Sequence, residues 1–384
     1  MKQGWVVERL DEVCEVNYGT RVVKKRDGGK IFPVYGGGGA TFFMDTYNRE
    51  DCLVISRFGM SAQCTRFVKG KFFLNDSGLT VRPKEKSNLR QDFLNLQMIS
   101  LNDQIYSLSR GAAQRNLDVP AFRIIKITYP ISLPEQQRIV SILDKVFATI
   151  DKAKVNAELN LKNAHEVFDS YLQGVFEEKG DGWELKKLGD VCHFVRGPFG
   201  GSLKKNIFKS DGFAVYEQKH AIYDQFNDVR YFVDENKFNE MKRFELKSGD
   251  LIMSCSGTIG KVALVPDLIR KGIINQALLK ISTRKEILNL YLKIWMESNN
   301  FRKSIKIHSG GAAIQNVASV SILKNILIPL PSIEEQQSIV NKIDTLRAET
   351  QKLEAIYQKK LDSLEELKKS VLQKAFAGEL IEDV

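Results

Sequence analysis

Two stretches early in the chain combine basic side chains, glycines and aromatic rings. RVVKKRDGGK at 21–30 is rich in cations that could neutralise phosphates. VYGGGGATFF at 34–43 places glycines, which let a ligand approach the backbone, beside flat rings on which bases stack. This pattern predicts contact with nucleic acid. The candidate residues are Lys24, Lys25, Arg26, Tyr35, Gly36 and Gly37, together with Arg57, which lies outside both stretches.

Two later stretches, RGPFGGSLKKN at 196–206 and SCSGTIGK at 254–261, have a similar character. The second superficially suggests a nucleotide-binding loop, but it lacks the GxxxxGK[ST] spacing and has Val262 after the lysine. We therefore exclude a P-loop and expect further DNA contacts here. The candidates are Arg196, Lys204, Lys205, Ser256, Thr258 and Lys261.

Long polar side chains that suit base edges follow a Gly-Ala-Ala sequence twice, in GAAQRNL at 111–117 and GAAIQNV at 311–317. The candidates in these segments are Gln114, Arg115, Asn116, Gln315 and Asn316. For any candidate taken singly, a solvated loop or a turn that needs its residue type is the plain alternative.

Enzyme signatures are missing from the sequence. The four histidines are isolated, the five cysteines form no CxxC pair, and there is no HExxH, GxSxG or nucleotide loop. The Asn/Asp-Pro-Pro-aromatic motif of amino-methyltransferases is absent, since no two prolines are adjacent. We expect no catalytic residue, no metal site and reduced structural thiols, although a catalytic group assembled in space stays open.

The positive charge is unevenly distributed along the 384 residues, whose formal net charge is +10. Residues 1–133 carry +7, residues 134–178 carry −3, residues 179–331 carry +9 and residues 332–384 carry −3. Two basic blocks predict two surfaces that attract polyanions. No apolar run approaches the ~20 residues that span a bilayer. The N-terminus has charges where a secretion signal needs an apolar segment, so we expect a cytoplasmic protein without membrane contact.

The two halves of the sequence repeat each other, mostly at an offset of 200 residues. The matched segments are GWVVERLDEVC (4–14) with GWELKKLGDVC (182–192), LVIS (53–56) with LIMS (251–254), Asn75 with Asn275, GAAQRNL with GAAIQNV, EQQRIV (135–140) with EQQSIV (335–340), and SYLQGVF (170–176) with SVLQKAF (370–376). Matches that run in order across both halves predict one fold used twice with different surfaces.

Each copy begins with a mixed block that we assign to the α+β class. CLVIS at 52–56 and DLIMS at 250–254 are typical of strands, and LYLKIWMES at 290–298 is typical of a helix. A long helix is predicted to follow each block, from about Pro134 to Phe176 and from Ser332 to about Phe376. Pro134 suits a first helical turn, Ser332 and Glu335 have capping-box spacing, and Gly378 is a stop signal.

Both predicted helices carry an apolar stripe with gaps of three and four residues, close to a heptad seam. The stripe of the first is Ile139, Leu143, Val146, Ile150, Ala153, Ala157, Leu161, Ala164, Val167 and Tyr171, and that of the second is Ile339, Ile343, Leu346, Leu353, Ile356, Tyr357, Leu361, Leu364, Leu367 and Val371. Because a bare apolar stripe needs a partner in water, we expect the helices to pair antiparallel. Two inverted modules on such a rod would measure a fixed gap in DNA, about one helical turn or ~10 bp.

The repeated plan, with LPEQQRIVSILD at 133–144, LPSIEEQQSIVNKID at 330–344 and the ends SYLQGVF and LQKAFAGEL, resembles the specificity (S) subunit of type I restriction-modification systems. The similarity covers essentially the whole chain. It implies two pseudo-two-fold-related α/β target-recognition domains, at 1–133 and 179–331. These would be separated by a long antiparallel two-helix coiled coil, at 134–178 and 332–384.

The resemblance also implies a function. Each target-recognition domain reads one half of a split double-stranded DNA target, and unlike domains imply an asymmetric target. The helices set the gap and dock two methyltransferase subunits, to which motor-nuclease subunits add. Catalysis, S-adenosylmethionine, ATP and Mg²⁺ belong to those partners, so this chain is expected to hold no cofactor. Two alternatives stay open, a self-contained DNA methyltransferase and a coiled-coil DNA-bridging protein without sequence specificity.

Overall fold

The computed structural model describes residues 3–178, 180–307 and 319–379. The chain forms two compact units, one made of Met1–Leu159 with Tyr357–Val384 and the other of Asn160–Ile356. The boundaries between the units fall inside the two long helices. Each unit therefore contains one mixed α/β recognition domain together with part of both long helices.

In its described residues, the first unit contains ten strands and six helices or helix beginnings, together with the end of the second long helix. Its strands are β1 (Trp5–Arg9), β2 (Cys14–Tyr18), β3 (Phe32–Tyr35), β4 (Phe43–Met44), β5 (Arg49–Ser56), β6 (Thr65–Leu74), β7 (Gly78–Pro83), β8 (Ser109–Arg110), β9 (Asn116–Leu117) and β10 (Lys126–Pro130). Its helices are α1 (Leu10–Val13), α2 (Lys24–Asp27), α3 (Gln91–Ser100), α4 (Asn102–Ser107), α5 (Val119–Arg123) and the beginning of α6 (Leu133–Glu177).

Six of these strands form one sheet in the order β2-β7-β5-β6-β3-β4, in which only the β3–β6 contact is parallel. β1 and β10 form a separate antiparallel pair, so the start of the domain lies beside the strand that leads into α6. The core between the sheet and the helices includes the fully buried Phe93, Leu94 and Phe122. The strand predicted at 52–56 is confirmed as the end of β5.

The second unit repeats the plan with additional elements. Its strands are β11 (Glu184–Lys187), β12 (Cys192–Arg196), β13 (Phe213–Tyr216), β14 (Tyr231–Val233), β15 (Glu245–Leu246), β16 (Leu251–Ser254), β17 (Val262–Leu264), β18 (Gly272–Ile274), β19 (Leu278–Thr283) and β20 (Leu327–Leu330). Its helices are α7 (Leu188–Val191), α8 (Gln218–Tyr223), α9 (Glu235–Glu240), α10 (Asn289–Glu297), α11 (Asn299–Ile307), α12 (Val320–Asn325) and the beginning of α13 (Ile333–Phe376), with short 3₁₀ helices at Gly200–Ser202, Lys205–Ile207 and Lys242–Phe244.

Eight strands of the second unit form two four-stranded sheets, β12-β19-β16-β17 and β14-β13-β18-β15, and β11 forms a separate antiparallel pair with β20. The ten-residue β6 of the first unit connects both parts of its sheet, because its start pairs with β5 and its end with β3. In the second unit two shorter strands, β17 and β18, take the place of β6, and residues 265–271 connect them. The strand and helix predicted at 250–254 and 290–298 are confirmed as β16 and α10.

The long helices run antiparallel within each unit, as the stripes predicted. In the first unit, Lys154 Nζ lies 2.6 Å from Glu365 Oε1, and Asp151 Oδ1 lies 3.4 Å from Lys368 Nζ. Residue numbers fall along one helix as they rise along the other.

The same order holds in the second unit. His165 Nδ1 lies 2.9 Å from Glu354 Oε1, and the Arg347 guanidinium lies 5.6 Å from the centroid of the Phe168 ring. The two helices are therefore paired by contacts in both units.

The predicted seam is wrong at five positions, which are solvent-exposed in the structure: Val167, Tyr171, Leu353, Ile356 and Leu367. In α6 the buried positions move from Ala164 to Leu172 and Phe176, which belong to the core of the second recognition domain. An α-helix turns every 3.6 residues, so its contact face drifts away from a strict heptad. At the C-terminal end of α6, packing against the second recognition domain therefore determines which face of the helix is buried.

The predicted ends of the second long helix are largely confirmed. Ser332 Oγ accepts a hydrogen bond from the Glu335 N–H at 3.2 Å, which is half of the predicted capping box. The Glu335 carboxylate accepts a bond from the Trp183 indole at 2.8 Å, so it also ties the helix to the start of the second domain. α13 ends at Phe376, and Gly378 has a φ of +79°, which favours glycine. Within the described residues, no helix is both long and apolar enough to cross a bilayer.

Candidate DNA interface

An asparagine organises the same turn in both units. Asn75 Oδ1 accepts a hydrogen bond from the Ser77 N–H at 2.9 Å, and Asn275 Oδ1 accepts one from the Ala277 N–H at 3.0 Å. The turn precedes β7 in the first unit and β19 in the second, and each of them is the second strand of its sheet. Asn75 and Asn275, which match in the sequence repeat, therefore stabilise equivalent backbone turns. These turns lie beside the segments that carry candidate DNA contacts.

A glycine at the end of the neighbouring strand allows that turn to pack closely. A Cβ atom on Gly19 or on Gly197 would lie 1.9 Å from the carbonyl oxygen of Asn75 or Asn275, so neither position tolerates a side chain. Gly19 follows Tyr18 and Gly197 follows Arg196, so the side chains that end β2 and β12 stand beside the turn. The glycine requirement is structural and independent of any ligand.

Arg57 is held between two aromatic rings in the first unit. Its guanidinium carbon lies 4.8 Å from the centroid of Tyr18 and 4.4 Å from that of Phe58, and Nη1 donates to the Asp76 carbonyl at 3.4 Å. Cation–π contacts of this kind restrict the side chain while leaving other N–H groups free to donate. Neither ring was among the sequence candidates, and the missing signal was the pairing of β2 and β5 with β7.

The predicted polar trio lies directly beside Arg57. The Gly59 N–H donates to Asn116 Oδ1 at 3.2 Å, and the Met60 N–H donates to the Arg115 carbonyl at 2.9 Å. Gln114 Nε2 approaches the same glycine. Gln114 and Arg115 are exposed, whereas Asn116 is half-buried and uses its oxygen internally.

The predicted glycines Gly36 and Gly37 are buried, so their residue type has an internal cause. A Cβ on Gly36 would lie 2.4 Å from Asn75 Oδ1, and one on Gly37 would lie 2.4 Å from the Phe58 carbonyl oxygen. The exposed part of the glycine run is Gly38 and Gly39, where a Cβ would meet open space. The backbone is therefore accessible to a ligand at Gly38 and Gly39, but not at Gly36 and Gly37.

The remaining first-unit candidates are three basic residues of α2 and Tyr35, whose carbonyl accepts a hydrogen bond from the Asn75 N–H at 2.8 Å. Lys24, Lys25 and Arg26 are exposed on the four-residue helix α2. Arg26 forms an ion pair with Asp27 at 2.8 Å, and its hydrogen bond lowers the pKa of that carboxyl group. Tyr35 is half-buried, with its ring edge-on to Phe72 at 5.5 Å in a small apolar cluster.

In the second unit, Arg196 takes the place of Tyr18. Tyr18 pairs with Leu79 in the first sheet and Arg196 pairs with Leu279 in the second, 200 residues later. The Arg196 guanidinium lies near the buried Cys255 thiol, which follows β16 and donates to the Met253 carbonyl at 3.4 Å. Burial raises the pKa of Cys255 to about 11, and the nearby guanidinium lowers it in part.

Ser256, Thr258 and Lys261 lie on the tight connection between the antiparallel strands β16 and β17. Gln218 of α8, which sequence reasoning missed, donates to the Ser256 carbonyl and to the Thr258 carbonyl, the latter at 3.3 Å. Lys261 is exposed and its N–H donates to Ser254 Oγ at 3.0 Å. A strand-to-strand hairpin differs from the strand-to-helix loop of a phosphate-binding P-loop, so the exclusion of that motif is confirmed.

Lys204 and Lys205 are exposed on the extra segment that precedes β13. The buried side chain of Leu203 anchors this segment in a small core. Phe199, between Arg196 and the two lysines, is 92% exposed, and the sequence candidates did not include it. Gln315 and Asn316 lie outside the described residues, so their prediction has no structural counterpart.

The buried thiols of both units have the properties of structural groups. Burial raises the pKa of Cys14 and of Cys192 to about 12, and that of Cys64 to about 11. A thiol must ionise to act as a nucleophile, so these groups are unreactive at neutral pH. Among residues 3–178, 180–307 and 319–379, no group of three or more His, Cys, Asp or Glu side chains is placed to hold a metal ion.

Residues 2–161 and 180–365 match the family described as the type I restriction modification DNA specificity domain. The MjaVIII type I restriction enzyme specificity subunit of Methanocaldococcus jannaschii is 24% identical over 335 residues, which are 81% of this chain and 76% of that protein. The EcoKI specificity subunit of Escherichia coli K12 is 26% identical over 298 residues, 72% of this chain and 62% of that one.

The fold is similar to that of a solved chain from work on complex assembly and conformational transition of the type I R-M system. The TM-score is 0.77 at 18% identity, and the alignment covers 99% of both chains. The sequence match to the family falls on both recognition domains and on most of both long helices. Because those two matched segments span most of its length, the chain belongs to the type I restriction modification DNA specificity family.

Proposed function

We propose that this chain is the DNA-reading subunit of a type I restriction-modification complex, and that each recognition domain reads one half of an asymmetric, split target. The observation that carries the proposal is the contrast at the equivalent sheet end of the two units. One framework presents Arg57 with Tyr18 in the first unit and Arg196 with Cys255 in the second. Different side chains on the same framework are what two different half-sites require.

Base readout in each unit would rest on few side chains. A guanidinium offers paired N–H donors that match the O6 and N7 acceptors of guanine in the major groove. Arg57 and Arg196 lie beside the asparagine turn that both units share, so we assign the first base contacts to them. The exposed lysines at 24, 25, 204 and 205 would contact phosphates, which supply most of the affinity and little of the specificity.

The paired helices would set the gap between the half-sites and dock two methyltransferase subunits. Exposed apolar side chains on both helices, among them Val155, Val167 and Ile356, support a role in docking because such groups are costly to leave in water. Motor-nuclease subunits would complete the complex in the cytoplasm. Catalysis, S-adenosylmethionine, ATP and Mg²⁺ would belong to the partner subunits.

Co-expression with a type I methyltransferase subunit from the same organism, followed by long-read sequencing of the host DNA, tests this proposal. We expect methylated adenines at one split sequence with two unlike halves and a constant gap. Methylation without a sequence motif would contradict it, and so would footprints that are identical on random and selected DNA. Transfer of methyl groups to DNA by the purified chain alone would place catalysis in this chain and overturn the division of roles.

A further inference from the structure

Each long helix carries a fully buried glutamine in its first turn. Gln136 of α6 and Gln336 of α13 are both 0% exposed, whereas the next residues along, Gln137 and Gln337, are exposed. Glutamine is rarely buried completely unless its amide finds partners, because an unpaired polar group is costly away from water. The partners of these two amides therefore indicate what the side chains do.

In the first unit, one amide joins three parts of the backbone. Gln136 Nε2 donates to the carbonyl oxygens of Asn88, at 2.7 Å, and Pro130, at 2.8 Å, and Oε1 accepts from the Arg90 N–H at 2.8 Å. Asn88 and Arg90 belong to the loop that leads into α3, and Pro130 is the last residue of β10. The first turn of the helix is thus bonded to the body of the recognition domain at two separate places.

The second unit repeats the arrangement. Gln336 Nε2 donates to the carbonyl oxygens of Glu286 and Pro331, both at 3.0 Å, and Oε1 accepts from the Leu288 N–H at 2.8 Å. These groups lie in the loop that leads into α10 and just after β20. All the partners in both units are backbone groups, so the joint persists although the loop side chains differ.

Apolar packing alone does not define an angle at this joint. Ile139, Val140 and Leu143 of α6 pack into the core of the first recognition domain. Such burial is strong but non-directional, whereas a hydrogen bond weakens steeply when its angle departs from linearity. Three bonds from one planar amide therefore fix the direction in which the helix leaves the domain.

From this geometry we infer that Gln136 and Gln336 are positioning residues, which hold each recognition domain at one angle on its helix and thereby restrict the complex to one gap length. The inference rests on the proposed function, in which the helices set the gap. It predicts that a complex without one of these amides methylates targets with several gap lengths, while the two half-site sequences stay unchanged. A residue that acted only on stability would lower methylation equally at every gap.

The test uses the complex of the full chain with its methyltransferase subunit and Gln136→Met, Gln336→Met and the double substitution. Methionine keeps the length of the side chain and removes its hydrogen bonds. Gln137→Met and Gln337→Met are matched controls, because they make the same chemical change on the same helical turns at exposed positions. Plasmids carry the two half-sites with the native gap and with gaps slightly shorter and longer, and methylation of each is measured by long-read sequencing.

We expect the ratio of off-gap to native-gap methylation to rise about tenfold in each single variant, the effect of losing a net hydrogen bond or slightly more. The ratio should be higher still in the double variant, and the control variants should give the ratio of the native protein. An unchanged ratio, with or without a lower Tm, would overturn the inference. Where Gln136→Met yields no soluble complex, Gln136→Glu keeps the acceptor and is judged by the same ratio. Failure of the proposed function would be distinct, because the native complex itself would then methylate no split target.

Discussion

Each recognition domain has an arginine at the equivalent end of its sheet, but the two arginines come from strands that are not equivalent. In the first unit Arg57 follows β5 and stacks on Tyr18, which ends β2. In the second unit Arg196 ends β12, the counterpart of β2, and lies near Cys255, which follows β16, the counterpart of β5. The arginine lies on the β5 side of β7 in the first unit and on the β12 side of β19 in the second, while the strands and the asparagine turn are retained. This contrast shows that the framework and the groups that would read DNA vary independently.

A second contrast concerns the sheet itself. The continuous β6 of the first unit makes one six-stranded sheet, whereas residues 265–271 divide its counterpart and leave two four-stranded sheets. Leu268, within that segment, is 92% exposed, whereas Val265 is buried in a core cluster, so the segment adds surface while remaining anchored in the domain. The asparagine turn is retained nonetheless, since Asn275 follows directly after β18 and its side chain keeps the hydrogen bond from the Ala277 N–H.

Shortening the paired helices by one heptad is expected to have the largest effect. Removing residues 153–159 and 360–366 together deletes facing segments, since Lys154 contacts Glu365, and leaves the contact of Asp151 with Lys368 in place. Seven residues at 1.5 Å each are about 10 Å, so we expect a gap shorter by about 3 bp.

The methylated target of the shortened protein, mapped by sequencing, should keep both half-sites and lose the native gap. An unchanged gap would show that the helices do not determine it. Altered half-sites would show that the two units do not read independently. Removal of only one of the two segments is the control, and we expect it to disrupt helix pairing and abolish methylation.

Replacing the arginine of one unit should relax only the half-site that this unit reads. Arg57→Ala is expected to weaken discrimination at one base of the first half-site by about 10- to 100-fold, corresponding to the ~1–3 kcal/mol of a good base contact. Arg196→Ala should do the same in the second half-site. The measurement is methylation of a target library with every single-base change.

Arg82→Ala is the control, because Arg82 pairs with Glu15 at the other end of the same sheet. We expect no change of specificity there. If Arg57→Ala relaxed the second half-site, or if neither arginine variant altered specificity, the assignment of one reader to each unit would be wrong.

Neutralising exposed lysines should weaken binding without changing its sequence preference. Lys204→Gln combined with Lys205→Gln is expected to make the slope of log affinity against log salt shallower by about 2, because each phosphate contact contributes about 0.9. Lys24→Gln with Lys25→Gln should give a similar change in the first unit. Fluorescence anisotropy at several salt concentrations measures the slope, with Lys187→Gln of β11 as the control. A changed base preference would show that these lysines contact bases.

The smallest expected difference concerns the equivalent thiols Cys14 and Cys192. Burial raises the pKa of both to about 12, above the ordinary value of 9.0. At pH 8 less thiolate is therefore present in the folded protein than in the unfolded chain. Both thiols should resist iodoacetamide until denaturant is added, as measured by mass spectrometry of peptides. Rapid labelling of only one would show that the two domain cores are not equivalent.

Local signals in the sequence predicted the strands at 52–56 and 250–254, the helix at 290–298 and the ends of α13, because strand composition, helical period and capping residues act over a few positions. The seam of the long helices was predicted less well. Val167 and Leu353 were assigned to the interior by heptad spacing, but the recognition domains and the drift of the helix turn them outward.

The sequence by itself determined that one fold is used twice, that two basic blocks alternate with two long helices, and that those helices need partners. These properties follow from order, charge and period, which are read along the chain. Only the tertiary structure decided that Arg57 and Arg196 lie at the equivalent end of their own sheets, that Gly36 and Gly37 face the protein interior, and that Gln136 joins the helix to its domain. Such relations depend on strand pairing and burial between distant residues, and no local pattern in the chain encodes those distances.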